Sequence, residues 1–220
     1  MKKRRYKMRR KTKAIVGLVL CFVLLGANLT LRNYRFTKDS VLEFMEEYRS
    51  TGDLELIMEL PRLPLDDRED YRFYLMENND CFAMMSINFN LLYGWLDGPC
   101  LIVEKDDTKP LNIAYNSFSS TEDEEKKQLR IIGLVNDPDI SRLEIDVYTG
   151  KINGDQTPKT TTLKTDKFIE FDGKRYFYIE YIFERDTSEY FMPPFNASGF
   201  DGNDELVYSQ EIHLGQSTFM

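Results

Sequence analysis

From Ala14 to Leu31 the chain runs 18 residues without a charge, AIVGLVLCFVLLGANLTL, and no other stretch limits so strongly what it can become. As a helix this run is about 27 Å long, close to the roughly 30 Å hydrocarbon core of a bilayer. Within 15–25, nine residues (Ile15, Val16, Leu18, Val19, Leu20, Phe22, Val23, Leu24 and Leu25) are Leu, Ile, Val or Phe. They favour insertion by at most about 3–5 kcal/mol. Residues 1–13 carry nine Lys or Arg and no acid, whereas only Arg32, Arg35 and Lys38 follow closely on the other side. The positive-inside rule then predicts a cytoplasmic tail over 1–13, a transmembrane signal anchor over 14–31, and everything after it outside the cell membrane.

Two other fates use the same ingredients. A charged segment, an apolar run and the small residues Gly26 and Ala27 also make a secretory signal peptide, although Leu25 fits the small-x-small cleavage rule poorly. Leu18-Val19-Leu20-Cys21 approaches a lipoprotein box, but Leu20 stands where such boxes need a small residue, so Cys21 reads as a packing residue of the helix. The arginine pairs 4–5 and 9–10 lack the apolar followers of a twin-arginine signal.

Beyond the anchor the chain has the means to fold, since 42% of its residues are apolar and 13% aromatic. Residues 14–220 hold 20 basic against 37 acidic side chains, a net charge of −17, which repels phosphate backbones and excludes nucleic acid as a partner of the folded part. The expected partners are membrane lipid, through 14–31, and an envelope protein or cell-wall component.

The expected fold class is α+β, mainly β. Ser40-Val41-Leu42-Glu43 has the form of a capping box and predicts a helix that Gly52 ends; a second, shorter helix is expected over Asp53 to Leu60, before Pro61. From Tyr71 short aromatic and β-branched runs alternate with Asn, Asp, Gly and Pro clusters, which is the pattern of strands and turns. Strands are expected over 72–76, 81–88, 101–105, 130–135, 143–148, 160–164, 168–171, 175–183, 195–200 and 205–212, with a hairpin through Asp172-Gly173. The acidic stretch TEDEEKK, 121–127, marks the expected boundary between a helix-plus-hairpin region (32–120) and an antiparallel β-sandwich-like domain (121–220).

Ile131-Ile132-Gly133-Leu134-Val135, Asp137-Pro138-Asp139-Ile140, the strand with Leu143, Ile145 and Val147, and the final Phe200-Asp201-Gly202-Asn203-Asp204-Glu205-Leu206-Val207-Tyr208 together carry a resemblance. With Tyr93-Gly94-Trp95 upstream, this part of the chain resembles uncharacterised membrane-anchored extracytoplasmic proteins of Gram-positive, spore-forming bacteria. The resemblance implies an extracytoplasmic β domain and no particular reaction.

Catalytic inventory is thin. The one histidine, His213, lies near the C-terminus, and no Ser or Cys has a nucleophile-like context, so no catalytic, cofactor or metal residue is assigned. The acidic clusters 66–70, 106–107, 122–125 and 201–205 lack calcium-loop spacing and read as solvated turns. Cys81 and Cys100 are candidates for a disulfide in an oxidising compartment, or for two buried thiols. In the strand 175–183, alternation sets Tyr176 and Tyr178 with Glu180 against Phe177, Ile179, Tyr181 and Phe183; the second set is core, and Tyr176 and Tyr178 become the candidate binding surface. The function expected is a non-enzymatic binding or interaction domain at the outer membrane face. A secreted hydrolase using paired carboxylates, freed by signal cleavage, is the alternative.

Overall fold

The computed structural model describes residues 12, 15–24, 26, 34–61, 72–91, 93–119, 126–151, 159–184, 189–191 and 193–212. Within the expected anchor, residues 15–24 form a helix, α1, whose large apolar side chains stand 54–65% exposed. Ala14, Leu25 and residues 27–31 lie outside the described residues, and among the described residues no helix is long and apolar enough to cross a membrane.

The second helix, α2 (Lys38–Arg49), starts two residues before the expected cap, Ser40. Thr37 caps it instead, its Oγ1 accepting the Ser40 amide at 3.2 Å, while the Ser40 hydroxyl donates to the Thr37 carbonyl at 2.8 Å. Ser50, left-handed at φ 55°, ends the helix two residues ahead of Gly52. Val41 and Met45, four residues apart, form its buried face.

Among the described residues thirteen strands follow in three antiparallel sheets. The first sheet is the meander β1 (Glu55–Glu59), β2 (Arg72–Glu77), β3 (Cys81–Asn90) and β4 (Gly94–Glu104). The second holds β5 (Leu111–Ser119), β6 (Lys126–Val135), β9 (Ile169–Phe171) and β10 (Lys174–Glu184) in the order β5-β6-β10-β9. The third orders β11 (Glu189–Phe191), β7 (Arg142–Lys151), β12 (Phe195–Phe200) and β13 (Leu206–Ile212), with β8 (Lys159–Thr165) also pairing β7.

The period-2 alternation of each strand assembles these sheets into layers. In the first sheet Tyr74, Met76, Ala83, Met85 and Ile87 face α2, Val41 and Met45, while Phe73, Leu75, Phe82, Met84 and Leu101 face the second sheet. The second sheet answers with Ala114, Ile132, Leu134 and Tyr176. Its opposite face presents Leu111, Tyr115, Leu129, Ile131, Phe177 and Ile179 to Leu143, Ile145, Val147, Phe195 and Ala197 of the third. The order is therefore helix, sheet, sheet, sheet. Each fully buried Leu, Ile or Phe in these interfaces contributes about 1.5–3 kcal/mol.

The mainly antiparallel β architecture agrees with the sequence expectation, and three local expectations are corrected. Residues 53–60 form no helix: Glu55–Glu59 is strand β1, paired along β2, and the Leu60 amide donates to the Phe73 carbonyl at 2.8 Å. So short a segment closes few helical hydrogen bonds, whereas the β2 edge satisfies its backbone at once. Leu111–Ser119, where no strand was expected, is β5. The expected domain boundary at 121–127 overlaps a hairpin, because β5 and β6 pair from Leu111↔Val135 to Ser119↔Lys127. The sandwich thus takes its edge strand from before the boundary, and residues 120–125 lie outside the described residues.

Gly133 shows how closely the layers meet. A Cβ at this position would overlap the Phe177 ring and come 2.8 Å from the Asn112 carbonyl oxygen. Gly133→Ala is expected to destabilise the protein by about 1–3 kcal/mol through overpacking, measured as a lowered denaturant midpoint with an unchanged slope.

Candidate functional site

Between the first two sheets lies a charge cluster that alternation alone would have made apolar. Glu77, the last residue of β2, has a side chain only 4% exposed. Its Oε2 accepts from Lys105 just past β4, from the Tyr176 hydroxyl on β10, and from Lys174 at 3.0 Å. Lys105 is equally buried, at 4%, and donates also to the Asn78 carbonyl. Burial pushes the Glu77 carboxyl up, but the hydrogen bonds from Lys105, Tyr176 and Lys174 outweigh it and hold the group below the usual glutamate range. Burial lowers Lys105 more than Glu77 raises it. Lys174, less enclosed, is held above its ordinary value because Glu77 outweighs desolvation. Burial and the Glu77 carboxylate together drive the Tyr176 phenol up, so it stays a donor.

A second polar row crosses the same face further along. The strand register places Asn116, Arg130 and Glu180 side by side on β5, β6 and β10, with Asn116 and Arg130 buried. The Arg130 guanidinium carbon lies 3.2 Å from the centre of the Phe73 ring in the facing sheet, and Gln128 donates to Glu180. Burial raises the Glu180 carboxyl, against the opposing pull of Arg130 and Tyr178.

Lys105 connects the first cluster to the surface, for it also lines a cleft of about 890 Å³. The cleft runs between Ile102–Lys105 on one side and Leu111–Ala114 on the other, closed at its ends by Arg49–Thr51 after α2 and by Gln210 and Glu211 of β13. Successive strand residues point to opposite faces, so consecutive residues can line one cleft only where it follows the strand's edge. β4 is the outer strand of the first sheet and β5 that of the second, and neither has a second strand partner among the described residues. The cleft therefore presents two rows of main-chain groups, of which the Leu111 carbonyl already accepts the Gln210 side-chain amide at 3.3 Å.

The β4–β5 connection is held rigidly. Asn112 bonds the Asp106 backbone through both its amide atoms, at 3.0 and 3.1 Å, and Asn136 donates to the Asp106 and Lys109 carbonyls at 3.1 and 2.9 Å. A hydrogen bond from the Thr108 hydroxyl, then the Lys109 ammonium, holds the exposed Asp106 carboxyl below its usual range. Basic Arg49, Lys105 and Lys109 share the cleft walls with acidic Asp80, Glu104, Asp107 and Glu211.

The residues singled out in the sequence fall elsewhere. Tyr176 is fully buried between sheets and Tyr178 is half-buried on the same inner face, so the expected binding surface on β10 is corrected: the first sheet covers it. The disulfide is corrected too, because Cys81 and Cys100 are free thiols. Cys81 pairs with Glu104 and Cys100 with Met85, a four-residue offset on adjacent strands. That separates the two by roughly 13 Å along the sheet, well beyond disulfide reach. Burial pushes the Cys100 thiol up to about 12. The acidic cluster 201–205 is a turn in which the Asp201 carboxylate accepts the Asn203 and Glu205 amides at 2.8 and 2.9 Å. Among the described residues no group of three or more His, Cys, Asp or Glu is placed to hold a metal ion, and His213 lies outside the described residues.

Sequence reasoning missed the cleft because β5 was not expected. The alternation Leu111, Ile113, Tyr115 against Asn112, Ala114, Asn116 was its signal. The Glu77 cluster had none, since its members are 28 and 97 residues apart from Glu77 in sequence.

Two outcomes test this geometry. Alkylation of the denatured, unreduced protein is expected to label both Cys81 and Cys100 by mass spectrometry. Glu77→Gln is expected to cost about 3–5 kcal/mol at neutral pH by leaving Lys105 buried with its carboxylate partner gone. Because the Glu77 carboxyl is depressed in the folded state, its stabilisation is complete above the unfolded value of about 4.3 and drains away as pH falls through the folded value. Acid titration of stability should therefore be flatter in the variant below about pH 4.

A family model described as a domain of unknown function, DUF5044, matches residues 36–212. No curated protein and no solved structure matches the chain.

Proposed function

We propose that this chain, which belongs to the DUF5044 family, is a single-pass membrane-anchored interaction protein whose outer domain takes an extended segment of a partner polypeptide along the cleft between β4 and β5. The observation that carries this reading is the pair of strand edges lining one cleft. An edge offers unpaired amides and carbonyls at strand spacing, and an added strand satisfies them whatever its side chains are. Side chains then select: the basic Arg49 and Lys109 and the acidic Asp80, Glu104, Asp107 and Glu211 set which charges the bound segment carries.

Anchoring is supported by the nine cations of 1–13, the 18-residue uncharged run and the exposed apolar side chains of α1. It places the tail inside the cell and the sheets outside. The likeness of Ile131 to Gln210 to anchored proteins of Gram-positive, spore-forming bacteria supports the same location, and the partner class is an envelope polypeptide. The acidic residues along the cleft keep a carboxylate-dependent hydrolase as the second reading.

The test uses the full chain in detergent with a library of short, β-branched-rich peptides. Binding peptides are expected to slow amide hydrogen exchange in 102–104 and 111–114, and a proline in the middle of the peptide should abolish that protection. Binding that leaves both edges unprotected sinks the strand-addition reading. Release of cleaved products, lost in Glu104→Gln or Asp107→Asn, would put the hydrolase in its place.

A further inference from the structure

Where the chain leaves the apolar run it is strapped to the tip of the β3–β4 hairpin. Arg35 makes an isolated parallel bridge to Gly94, and the Trp95 amide donates to the Arg35 carbonyl at 2.9 Å. Gly94 permits the approach twice over: its φ is +77°, and a Cβ there would overlap the Arg35 carbonyl and meet the Tyr34 ring at 2.9 Å. Arg35 is fixed further by Asp97 at 3.4 Å and by the Phe44 ring at 3.8 Å. From Leu31, the end of the uncharged run, to Arg35 is four residues, which span at most about 14 Å. The hairpin tip therefore cannot be far from wherever the apolar run ends.

That tip is apolar and uncovered. Leu91 is 81% exposed, Tyr93 46%, and Phe36 beside the strap 67%. Phe89 and Trp95 stack edge to face at 5.3 Å behind them, with the Lys38 ammonium 5.8 Å from the Trp95 ring. Aromatic rings with an aliphatic tip and a neighbouring cation are the composition of the zone between lipid headgroups and acyl chains.

We infer that the β3–β4 hairpin tip, through Leu91, Tyr93 and Phe36, docks into the headgroup region of the bilayer beside the anchor. This rests on the membrane-anchored reading above. The occupant is lipid because the covalent connection brings a bilayer within reach of this patch, and Lys38 favours an anionic surface. Docking fixes the tilt of the sheets against the membrane and holds the β4–β5 cleft at a set height, since β4 runs from the hairpin tip at Gly94 to the cleft at Ile102–Glu104.

Trp95 is the single tryptophan of the chain, so its emission reports on this patch alone. The full chain is reconstituted into phosphatidylcholine–phosphatidylglycerol vesicles whose acyl chains are brominated near the headgroup. The expected result is quenching of Trp95 by the bromolipid, lost in the double variant Leu91→Asp, Tyr93→Asp while the protein still pellets with the vesicles. Phe36→Ser is expected to weaken the quenching as well, and an unchanged circular-dichroism melt shows that the variants fold. A protein that pellets with Trp95 unquenched overturns the docking and leaves the anchor standing. A wild-type protein that stays in the supernatant overturns both. Trp95 shielded from bromolipid and from aqueous iodide alike also overturns the docking, in favour of a protein contact such as a second copy.

Discussion

The structure depends on burial of the second sheet on both faces. β6 and β10 send Ile132, Leu134 and Tyr176 toward the first sheet and Leu129, Ile131, Phe177 and Ile179 toward the third. A sheet facing water on one side would show a polar alternate row. Here the row facing the first sheet, polar Gln128 and Arg130 included, is buried as the apolar row on the other side is, so the sheet stands as the middle of a stack. Its neighbours have one face to bury against it, and the outer face of the first sheet is completed by α2.

Polar groups enter that stack at two places, and at the first they are matched across elements. Glu77 comes from the first sheet, Lys174 and Tyr176 from the second, and Lys105 from the end of β4. Desolvating such charges is costly, and replacement by well-packed apolar residues can be neutral or stabilising, so the cluster is not an explanation of overall stability. Its geometric effect is clearer: one carboxylate ties together the ends of β2, β4 and β10 and sets the sheets in register at the mouth of the cleft. The Asn112 and Asn136 amides then hold the β4–β5 connection.

The cleft arises from what this stacking leaves unpaired. β4 and β5 adjoin through a short turn yet belong to different sheets, and neither closes the other's edge. At the far end of β4 Arg35 bridges Gly94. One strand thus links the tip of the β3–β4 hairpin to the cleft.

Much of the fold was legible locally. Ten strands follow from period-2 patterns and turn residues, Asp172-Gly173 makes its hairpin with both residues at positive φ, and Phe177 and Ile179 were placed on the core side by alternation alone. β1, β5 and the three-residue β11 were not legible. The first is too short and charged to announce itself, and the second carries Asn112 and Asn116, which look solvated in sequence and are buried in the structure. By itself the sequence determined the charge asymmetry, the uncharged run and the antiparallel β character, because each is a property of composition or of neighbours along the chain. Only the tertiary structure decided that Tyr176 is buried, that Cys81 and Cys100 stand apart, that Glu77 meets two lysines, and that two strand edges share one cleft. Those outcomes depend on strand register and on which sheet covers which face, and both are set by packing between residues far apart in the chain.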